Sequence, residues 1–482
     1  MYIINRFSQV SFDDFNQTLG LALDPDNEWV RAAELIPWGE LERLYADKFK
    51  SKEGNVAKTF RMMLGASIIR ARLQLSDRET VKQIAENPYF QYFIGCPRFQ
   101  AKCPFTFPCL CNFRKRFSFE KLSEISEIVA QYVNKKVEEK KATAPKKRGR
   151  KKNVELTTIL DATCTPEKIR FPQDESLLNE ARENLERMID VAYELSGDTK
   201  KPRTYRENAR KDHLSYAKRK KRPANVTRKA IRKQLCYVAR DLKYVDAYLA
   251  RGIVLPDWET ERLATIRKMY EQQLTMFKNK VNRIENRIVS LSQPHIRPVV
   301  RGKAKAKTEF GAKLDLSIDS TGTARLERVD FNAYNESEVL IPALKAYYDR
   351  NGRYPDRVLV DQIYRTKKNL EFCKEHGIRV SGPKLGRPSS NGLTRAEKRT
   401  EYRDNTDRIE VERRFAYTKD QFSLSLICEK LPETEITTIF MGIIASNVLG
   451  NGLRRFLCAY FSSPEFLAKF TVRYIVMEQD AA

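Results

Sequence analysis

Two hydrophobic periodicities divide the chain. From about residue 28 to residue 134, apolar side chains recur at three- and four-residue spacing, which predicts a wholly helical region. Within "RLQLSDRETVKQIAENPYFQYFIG", Ser76 is expected to start a helix that has Glu79 in its first turn. Beyond residue 154, short β-branched runs predict strands: "VELTTILDAT", "GAKLDLSID", "TARLERVDF", "RVLVD" and "IRVSGP".

The order of these strands and the helices between them predicts the fold class. Helical spacing separates the third, fourth and fifth strands and returns after the fifth. An order of strand, strand, strand, helix, strand, helix, strand, helix is typical of an α/β domain with one mixed central sheet.

The interval between the first and second strands, residues 175–300, has almost no strand signal. Two heptad patterns predict helices there. The first holds Ile231, Leu235, Val238, Leu242, Val245 and Leu249, and the second holds Leu263, Tyr270, Leu274, Phe277, Val281, Ile284, Ile288 and Leu291. "ARGIVLPDWE" joins them as a turn, so we expect an inserted antiparallel coiled-coil hairpin, which would clamp DNA or serve as a dimerisation arm.

Charge narrows the class of partner. The 482 residues carry 89 Lys and Arg against 63 Asp and Glu, a net charge of +26. This excess predicts salt-dependent binding to a nucleic acid, although a basic scaffold protein would share it. Residues 140–152 hold eight basic residues and no acid. Arg148 and Arg150, in "KKRGRKK", are candidate DNA contacts, either as a minor-groove hook or, as we favour, in a tether that touches phosphates.

These patterns predict four parts. Residues 1–134 form a helical DNA-binding or dimerisation domain, and 135–153 form a basic linker. Residues 154–174 and 301–465 form the α/β domain, and 175–300 form the helical insertion. "ITTIFMGIIASNVLG" is too short to span a bilayer and predicts a buried helix, so no membrane partner is expected.

A cluster of four cysteines has two possible interpretations. Cys96, Cys103, Cys109 and Cys111 are spaced unlike a standard CxxC pair, and no histidine follows nearby. Buried free thiols are therefore favoured over a zinc site.

Three separated acidic residues carry the candidate chemistry. Asp161 ends the apolar run "ELTTILD", Asp361 ends "RVLVD", and Glu412 lies in "DRIEVERRFAYTK". Carboxylates at strand ends are held on rigid elements yet open to solvent. Two of them with a helical Glu would hold a pair of Mg²⁺ ions for phosphodiester chemistry. Asp315 and Asp319 are further acids near the second strand, for which we favour a structural role.

The segment around Glu412 is the most specific signal. Arg408, Glu412, Phe415 and Lys419 are spaced four, three and four residues apart, so a helix places them on one face. This suits a Glu that binds a cation while Arg408 and Lys419 hold neighbouring phosphates. A surface helix with intrahelical ion pairs would show the same charge pattern.

Here the chain resembles the bacterial insertion-sequence transposases of the DDE class. Arg, three residues, Glu, six residues, Lys is the helix signature of that class; where the family has Tyr three positions before the Arg, this chain has Asn405. "ILDATCTPEKIRFPQDESLLNEARE", "KTEFGAK", "DFNAYNES" and "VDQIYRTKKNLEFCKEHGIRVSGPKLGRP" are similar to family blocks in the same order. The helical N-terminal segment resembles that of one subgroup, and the likeness covers most of residues 55–455.

The resemblance implies an RNase H-like catalytic domain in which Asp161, Asp361 and Glu412 bind two Mg²⁺ or Mn²⁺ ions. One ion would activate the nucleophile and the other would stabilise the leaving 3′ oxygen. Lys419 and Arg408 would hold the DNA backbone, and Tyr364 and Arg365 would either contact DNA or support the ligands.

The implied function is cleavage of double-stranded DNA at terminal inverted repeats and joining of the ends to target DNA. A homodimer on DNA and a cytoplasmic, nucleoid-associated location in a bacterium are also implied. A catalytically inactive or domesticated DNA-binding relative and a structure-specific nuclease are the alternatives.

Overall fold

The N-terminal part of the computed structural model is helical. The structure describes residues 23–47, 49, 55–143, 155–300, 308–382 and 394–452. The first seven helices are α1 (Glu28–Glu34), α2 (Trp38–Ala46), α3 (Phe60–Leu73), α4 (Asp77–Glu86), α5 (Pro88–Phe93), α6 (Pro108–Arg114) and α7 (Phe119–Thr143). As expected, α4 begins at Ser76, whose hydroxyl accepts a hydrogen bond from the backbone N–H of Glu79.

A mixed six-stranded sheet follows. Its strands are β1 (Thr157–Pro166), β2 (Pro298–Val300), β3 (Thr308–Asp319), β4 (Ala324–Asp330), β5 (Arg357–Leu359) and β6 (Arg379–Val380). The order across the sheet is β2-β3-β1-β5-β6, with β4 antiparallel on β3. Pairing of β5 with β1 and β6 is parallel. The five predicted strands are present, and β2 is an additional short one.

Helices cover both faces of this sheet. They are α12 (Leu340–Asn351), α13 (Lys367–Glu375) and α14 (Arg395–Gln421), with α15 (Pro432–Ala445) after them. Side chains alternate between faces along a strand. Leu160 of β1 is fully buried in a cluster with Leu344 of α12 and Cys373 of α13, whereas its neighbour Asp161 faces α14. The mixed α/β architecture with an RNase H-like sheet is confirmed.

The predicted buried helix corresponds to α15. It is buried along its length and packs against α3 and α7. Gly442 allows this approach, because a Cβ there would lie 2.9 Å from the carbonyl oxygen of Phe422. Within the described residues, no helix has both the length and the apolarity needed to cross a membrane.

A buried ion-pair cluster attaches α14 to the sheet. Asp404 of α14 is 3% exposed and accepts hydrogen bonds from Arg357 at the start of β5 and from Arg379 at the start of β6. Arg357 also donates to the hydroxyl of Thr157 in β1 at 2.7 Å. Three strands and one helix therefore share a polar junction, which sets the position of the α14 residues one and two turns further on.

The interval after β1 forms a helical unit with its own core. It holds α8 (Asp174–Ser196), α9 (Arg206–Ala217), α10 (Ala224–Ala250) and α11 (Asp257–Asn279). The hairpin of α10 and α11 is present, but α8 packs along α10 as a third long helix. Leu185 and Met188 of α8, Val238 of α10 and Ile266 of α11 are all fully buried in one cluster.

The second heptad prediction is wrong beyond residue 279. The helix ends at Asn279, and Lys280 takes a left-handed conformation at φ 56°. The chain then folds back, because the side chain of Gln272 donates to the carbonyl of Asn286 and accepts from the N–H of Ile288. Ile288 is nevertheless buried in the helical cluster, which explains why its apolar character mimicked a continuing heptad.

The helical unit begins and ends at one place. The backbone N–H of Glu167, directly after β1, donates to the carbonyl of Phe310 in β3 at 2.8 Å. Near that end, β2 pairs with the beginning of β3 as an antiparallel ribbon.

Two compact units are distinguished by their internal contacts. One comprises residues 1–166, 313–330 and 334–482, and the other 167–312 and 331–333. The four-part division based on sequence stays a prediction. One boundary differs locally, since α7 extends to Thr143 and the predicted linker was expected to begin at residue 135.

We expect Asp404→Asn to lower the free energy of unfolding by about 3 kcal/mol, because it leaves the buried guanidinium of Arg357 and the partly exposed one of Arg379 without their shared charge partner. Thermal unfolding followed by circular dichroism would measure this. Glu410→Gln, at an exposed position on the same helix, is the matched control and should change stability by less than about 0.5 kcal/mol. Equal effects of the two variants would contradict the role given to Asp404.

Candidate active site

Adjacent parallel strands bring the first two predicted acids together. The register pairs Thr157 with Arg357 and Ile159 with Leu359. If that register is continued by two residues beyond the end of β5, Asp161 lies opposite Asp361, whose charge is close enough to raise the pKa of Asp161. The Oδ1 atom of Asp161 accepts a hydrogen bond from the N–H of Ala162 at 2.8 Å, and Asp361 caps a 3₁₀ turn by accepting one from Gln362 at 2.7 Å.

The position of Asp161 within its strand differs from expectation. The sequence placed it at the C-terminal tip, but β1 continues to Pro166, so Asp161 lies near the middle. The run stays extended because β1 lies between β5 and the twelve-residue strand β3. Its side chain is consequently only 19% exposed, less open than a strand-end carboxylate.

The predicted face of α14 is directed towards β1. Arg408 lies between two acids, with its Nη1 atom 3.9 Å from Asp161 Oδ2 and its Nη2 atom 3.9 Å from Glu412 Oε1. Lys419 donates from Nζ to the Thr163 hydroxyl at 3.0 Å, two residues along β1 from Asp161. The side chain of Glu412 is 60% exposed, so it can still take a ligand from solvent.

The electrostatics of Asp161 favour a cation. Burial, aided by the negative charges of Asp361 and Glu336, raises the pKa of its carboxyl from 3.8 to about 6, against the lowering effect of the Ala162 N–H and Arg408. An acidic side chain whose pKa is raised by burial and like charge is typical of functional sites. A positive ion beside Asp161 and Asp361 would remove this penalty.

The donor atoms fit Mg²⁺ or Mn²⁺, which prefer carboxylate oxygen ligands. Asp161 and Asp361 supply such oxygens from neighbouring strands, and Glu412 is linked to them through Arg408. Across the described ranges, no three His, Cys, Asp or Glu side chains are already grouped closely enough to hold one ion. The assignment of all three acids as ligands therefore stays a prediction.

Two acidic residues near this site were not among the predicted site residues. Glu336 lies close enough to raise the pKa of Asp161 and pairs with Lys313 at 2.7 Å. Asp315 is fully buried and accepts hydrogen bonds from the hydroxyls of Tyr334 and Tyr364. Its contacts agree with the structural role favoured from the sequence. Glu336 lies in the block "DFNAYNES", whose likeness to the family was the available signal.

The predicted direct contact of Tyr364 and Arg365 with DNA is not supported, because both side chains are buried. Tyr364 is 0% exposed, and its hydroxyl donates to Asp315 at 2.7 Å. Arg365 is 8% exposed and donates to the carbonyls of Val380 and Ser381, and burial lowers its pKa. Neither side chain has surface for a phosphate, so the supporting role remains. Arg148 and Arg150 lie outside the described residues.

The cysteine cluster contains free thiols that affect one another electrostatically. Burial, together with the neighbouring Cys103, raises the pKa of the Cys96 thiol to about 12. Such a thiol stays protonated at neutral pH, and it is the thiolate that binds zinc.

Two family models match the chain. The one described as "Transposase DDE domain" matches residues 358–448, a stretch that contains Asp361, Arg408, Glu412 and Lys419. The one described as "Transposase domain (DUF772)" matches residues 18–116, which include α1 to α6.

Both matched models describe transposase domains.

The expected resemblance to the DDE transposases is thereby confirmed, and the matched domains indicate a transposase, which at the level of its class is a DNA-binding and DNA-cleaving enzyme. The class typically uses divalent metal ions. Asp161 lies outside the matched stretch, so its inclusion in the site depends on the strand register and on its contact with Arg408.

A curated relative supplies a second comparison. The transposase is 29% identical over 183 residues to the "Uncharacterized protein ORF8 in nfe locus" of Rhizobium meliloti, which covers 38% of this chain and 83% of the relative. No solved structure matches the chain.

Asp161→Asn should stabilise the metal-free protein above pH 6 by up to about 3 kcal/mol. Because the pKa of Asp161 is raised on folding, wild-type stability from this group falls as pH rises from about 4 to about 6 and then stays low. The neutral amide has no such loss, so the difference in unfolding midpoint between variant and wild type should grow over that interval. Thermal scans in EDTA at several pH values would measure it.

Glu371→Gln, at a position 67% exposed on α13, is the control for this series and should show no such pH-dependent difference. A constant difference between Asp161→Asn and wild type from pH 4 to pH 8 would contradict the inferred burial penalty.

Proposed function

We propose that this transposase cleaves double-stranded DNA at the terminal inverted repeats of an insertion sequence and joins the ends to target DNA. Asp161, Asp361 and Glu412 are proposed as ligands of two Mg²⁺ or Mn²⁺ ions. The observation that carries the proposal is the meeting of Asp161 and Asp361 on neighbouring strands, with Arg408 bridging Asp161 to Glu412.

Each acid has a defined task. Asp161 and Asp361 hold their oxygens on the rigid sheet, and Glu412 brings a third from α14. When bound, the divalent ions supply activation of the attacking oxygen and stabilisation of the leaving oxygen. With a pKa of about 6, Asp161 is mostly ionised at neutral pH, whereas at pH 5 it is mostly protonated and would bind cations weakly.

The basic residues of α14 complete the site. The two contacts of Arg408 at 3.9 Å lie at the outer limit for an ion pair, so its guanidinium can exchange a carboxylate for a phosphate oxygen. Lys419 is held by Thr163 beside β1, where its ammonium group can contact a neighbouring phosphate. Together they would hold the DNA backbone next to the acids, on a protein that acts as a homodimer when two ends are joined.

Substitution of each acid provides the central test. Asp161→Asn, Asp361→Asn and Glu412→Gln should each reduce Mg²⁺-dependent cleavage of an element-end duplex by at least about 10³-fold, because each removes a metal-binding charge. Binding of the same duplex should persist. Cleavage would be followed on end-labelled oligonucleotides, and binding by fluorescence anisotropy.

Glu410→Gln is the matched control, because Glu410 lies on the same helix but about 200° around it from Glu412. Equal loss in this control and in Glu412→Gln would contradict the assignment. Wild-type protein that binds ends without cutting them would indicate an inactive relative. Equal cutting of random duplexes, branched junctions and native ends would indicate a structure-specific nuclease.

Metal binding has a test that needs no DNA. Mg²⁺ or Mn²⁺ should raise the thermal unfolding midpoint of the wild-type protein by several degrees, because a ligand that binds only the folded state stabilises it. The shift should be smaller in Asp161→Asn and Asp361→Asn and unchanged in Glu410→Gln. An equal shift in all four proteins would place the ions elsewhere.

A further inference from the structure

A strongly basic surface outside the proposed active site lies in the helical unit. It surrounds the turn between α9 and α10 and continues along the first turns of α10. We define the basic tip as six exposed side chains there: Lys218, Arg219, Lys220, Lys221, Lys229 and Arg232. No acidic residue occurs between positions 213 and 240 of the sequence.

The six side chains differ from several other basic residues of the same unit. In that unit, Lys201 pairs with Asp190, Arg251 with Asp198 and Arg267 with Asp246. Within the part of the chain that the structure describes, no ion pair joins a residue of the basic tip to a carboxylate. The positive charges of the basic tip therefore repel one another without direct ion pairs to offset the repulsion.

Folding of the unit does not require these charges. Its core is the apolar cluster of α8, α10 and α11, in which Leu235 and Val238 of α10 are the first fully buried members from that helix. The basic tip precedes them. Neighbouring Arg222 and Arg228 do have a structural task, since they donate to Gln173 and to the carbonyl of Phe277. A cluster of uncompensated charge that stabilises no core indicates an anionic partner.

The cavities beside the basic tip do not suit a small anion. One of about 240 Å³ is lined by the acids Glu175 and Asp212 together with the bases Arg219, Lys229 and Lys233, and one of about 690 Å³ by Asp174 together with Arg222, Arg228 and Lys280. In each cavity the acids offset part of the positive charge that a compact phosphate would need. The uncompensated positive charge instead lies on the exposed turn and helix, where a partner with regularly spaced negative charges can contact several groups at once.

The residue types indicate a duplex. Residues 218–232 contain no Phe, Tyr or Trp, although proteins that hold single strands stack the bases on aromatic side chains. Lysine and arginine without aromatic neighbours suit the phosphates of a double helix, contacted without base readout.

We propose that the basic tip binds the phosphate backbone of duplex DNA. The choice of DNA over RNA rests on the proposed function, whereas the charge argument does not. The contact adds affinity that is independent of sequence and separate from the acids of the proposed active site.

Salt dependence of binding tests the proposal. We compare full-length wild-type protein with the triple variant Lys218→Gln, Lys220→Gln, Lys221→Gln, using a random-sequence 30-base-pair duplex in EDTA. Each lost phosphate contact should reduce the slope of log Kd against log salt by about 0.9. Three lost contacts mean that wild-type affinity falls about 40-fold more than variant affinity between 50 and 200 mM salt.

The control removes the same charge from paired positions. Lys201→Gln, Arg251→Gln, Arg267→Gln also deletes three positive charges from this unit, but each of those side chains already neutralises an acid. The wild-type slope should be retained there. Equal slope changes in both variants would overturn the proposal, because net charge alone would explain them, and so would an unchanged slope in the Lys218 variant.

Competition assigns the partner. The choice of DNA would be overturned if duplex RNA or polyglutamate displaced the protein from DNA at a concentration equal to or below that of competing duplex DNA, and if the Lys218 variant lost affinity for that competitor to the same extent. Because the assay contains no divalent ion and measures no cleavage, its failure is distinguishable from failure of the active-site proposal, which the acid variants test.

Discussion

Parallel pairing of β1 with β5 is the constraint on which the proposed active site depends. The two strands come from positions about 200 residues apart, and the register of Thr157 with Arg357 leads to Asp161 beside Asp361. A shift of one residue would turn the carboxylate of Asp161 away from α14 and into the apolar layer that now holds Leu160. Burial of Leu160 and Val358 between the sheet and its helices therefore also positions the acids.

Without a bound cation, the ionised acids of the proposed site destabilise the folded protein. Burial and two neighbouring acids oppose ionisation of Asp161, and Arg408 compensates only from 3.9 Å. Meanwhile the buried Asp404, hydrogen-bonded to Arg357 and Arg379, anchors the same helix. Strong pairing at Asp404 and weak pairing one turn later at Arg408 would keep the helix in place if Arg408 exchanged a carboxylate for a phosphate.

The sequence was informative wherever one periodicity or one family block decided the outcome. Short β-branched runs predicted β1, β3, β4, β5 and β6, and the spacing of Arg408, Glu412 and Lys419 predicted a common helical face. Glu336 was missed because its approach to Asp161 depends on a turn after β4 that no period encodes. Tyr364 was predicted to reach DNA, but its side chain is buried and its hydroxyl donates to Asp315. This burial depends on tertiary contacts that the local sequence does not reveal. The heptad past Asn279 failed because Ile288 is buried without being helical.

The hydrogen bond between Glu167 and Phe310 has a consequence for the architecture of the chain. About 140 residues follow β1 before the chain enters β3, and the two ends of this segment are joined by that hydrogen bond. The long segment therefore connects two neighbouring strands as a tight turn would. A segment whose two ends meet can be lengthened, trimmed or exchanged without disturbing the strands that flank it. Related proteins could thus carry entirely different modules at this junction and keep the same chemistry.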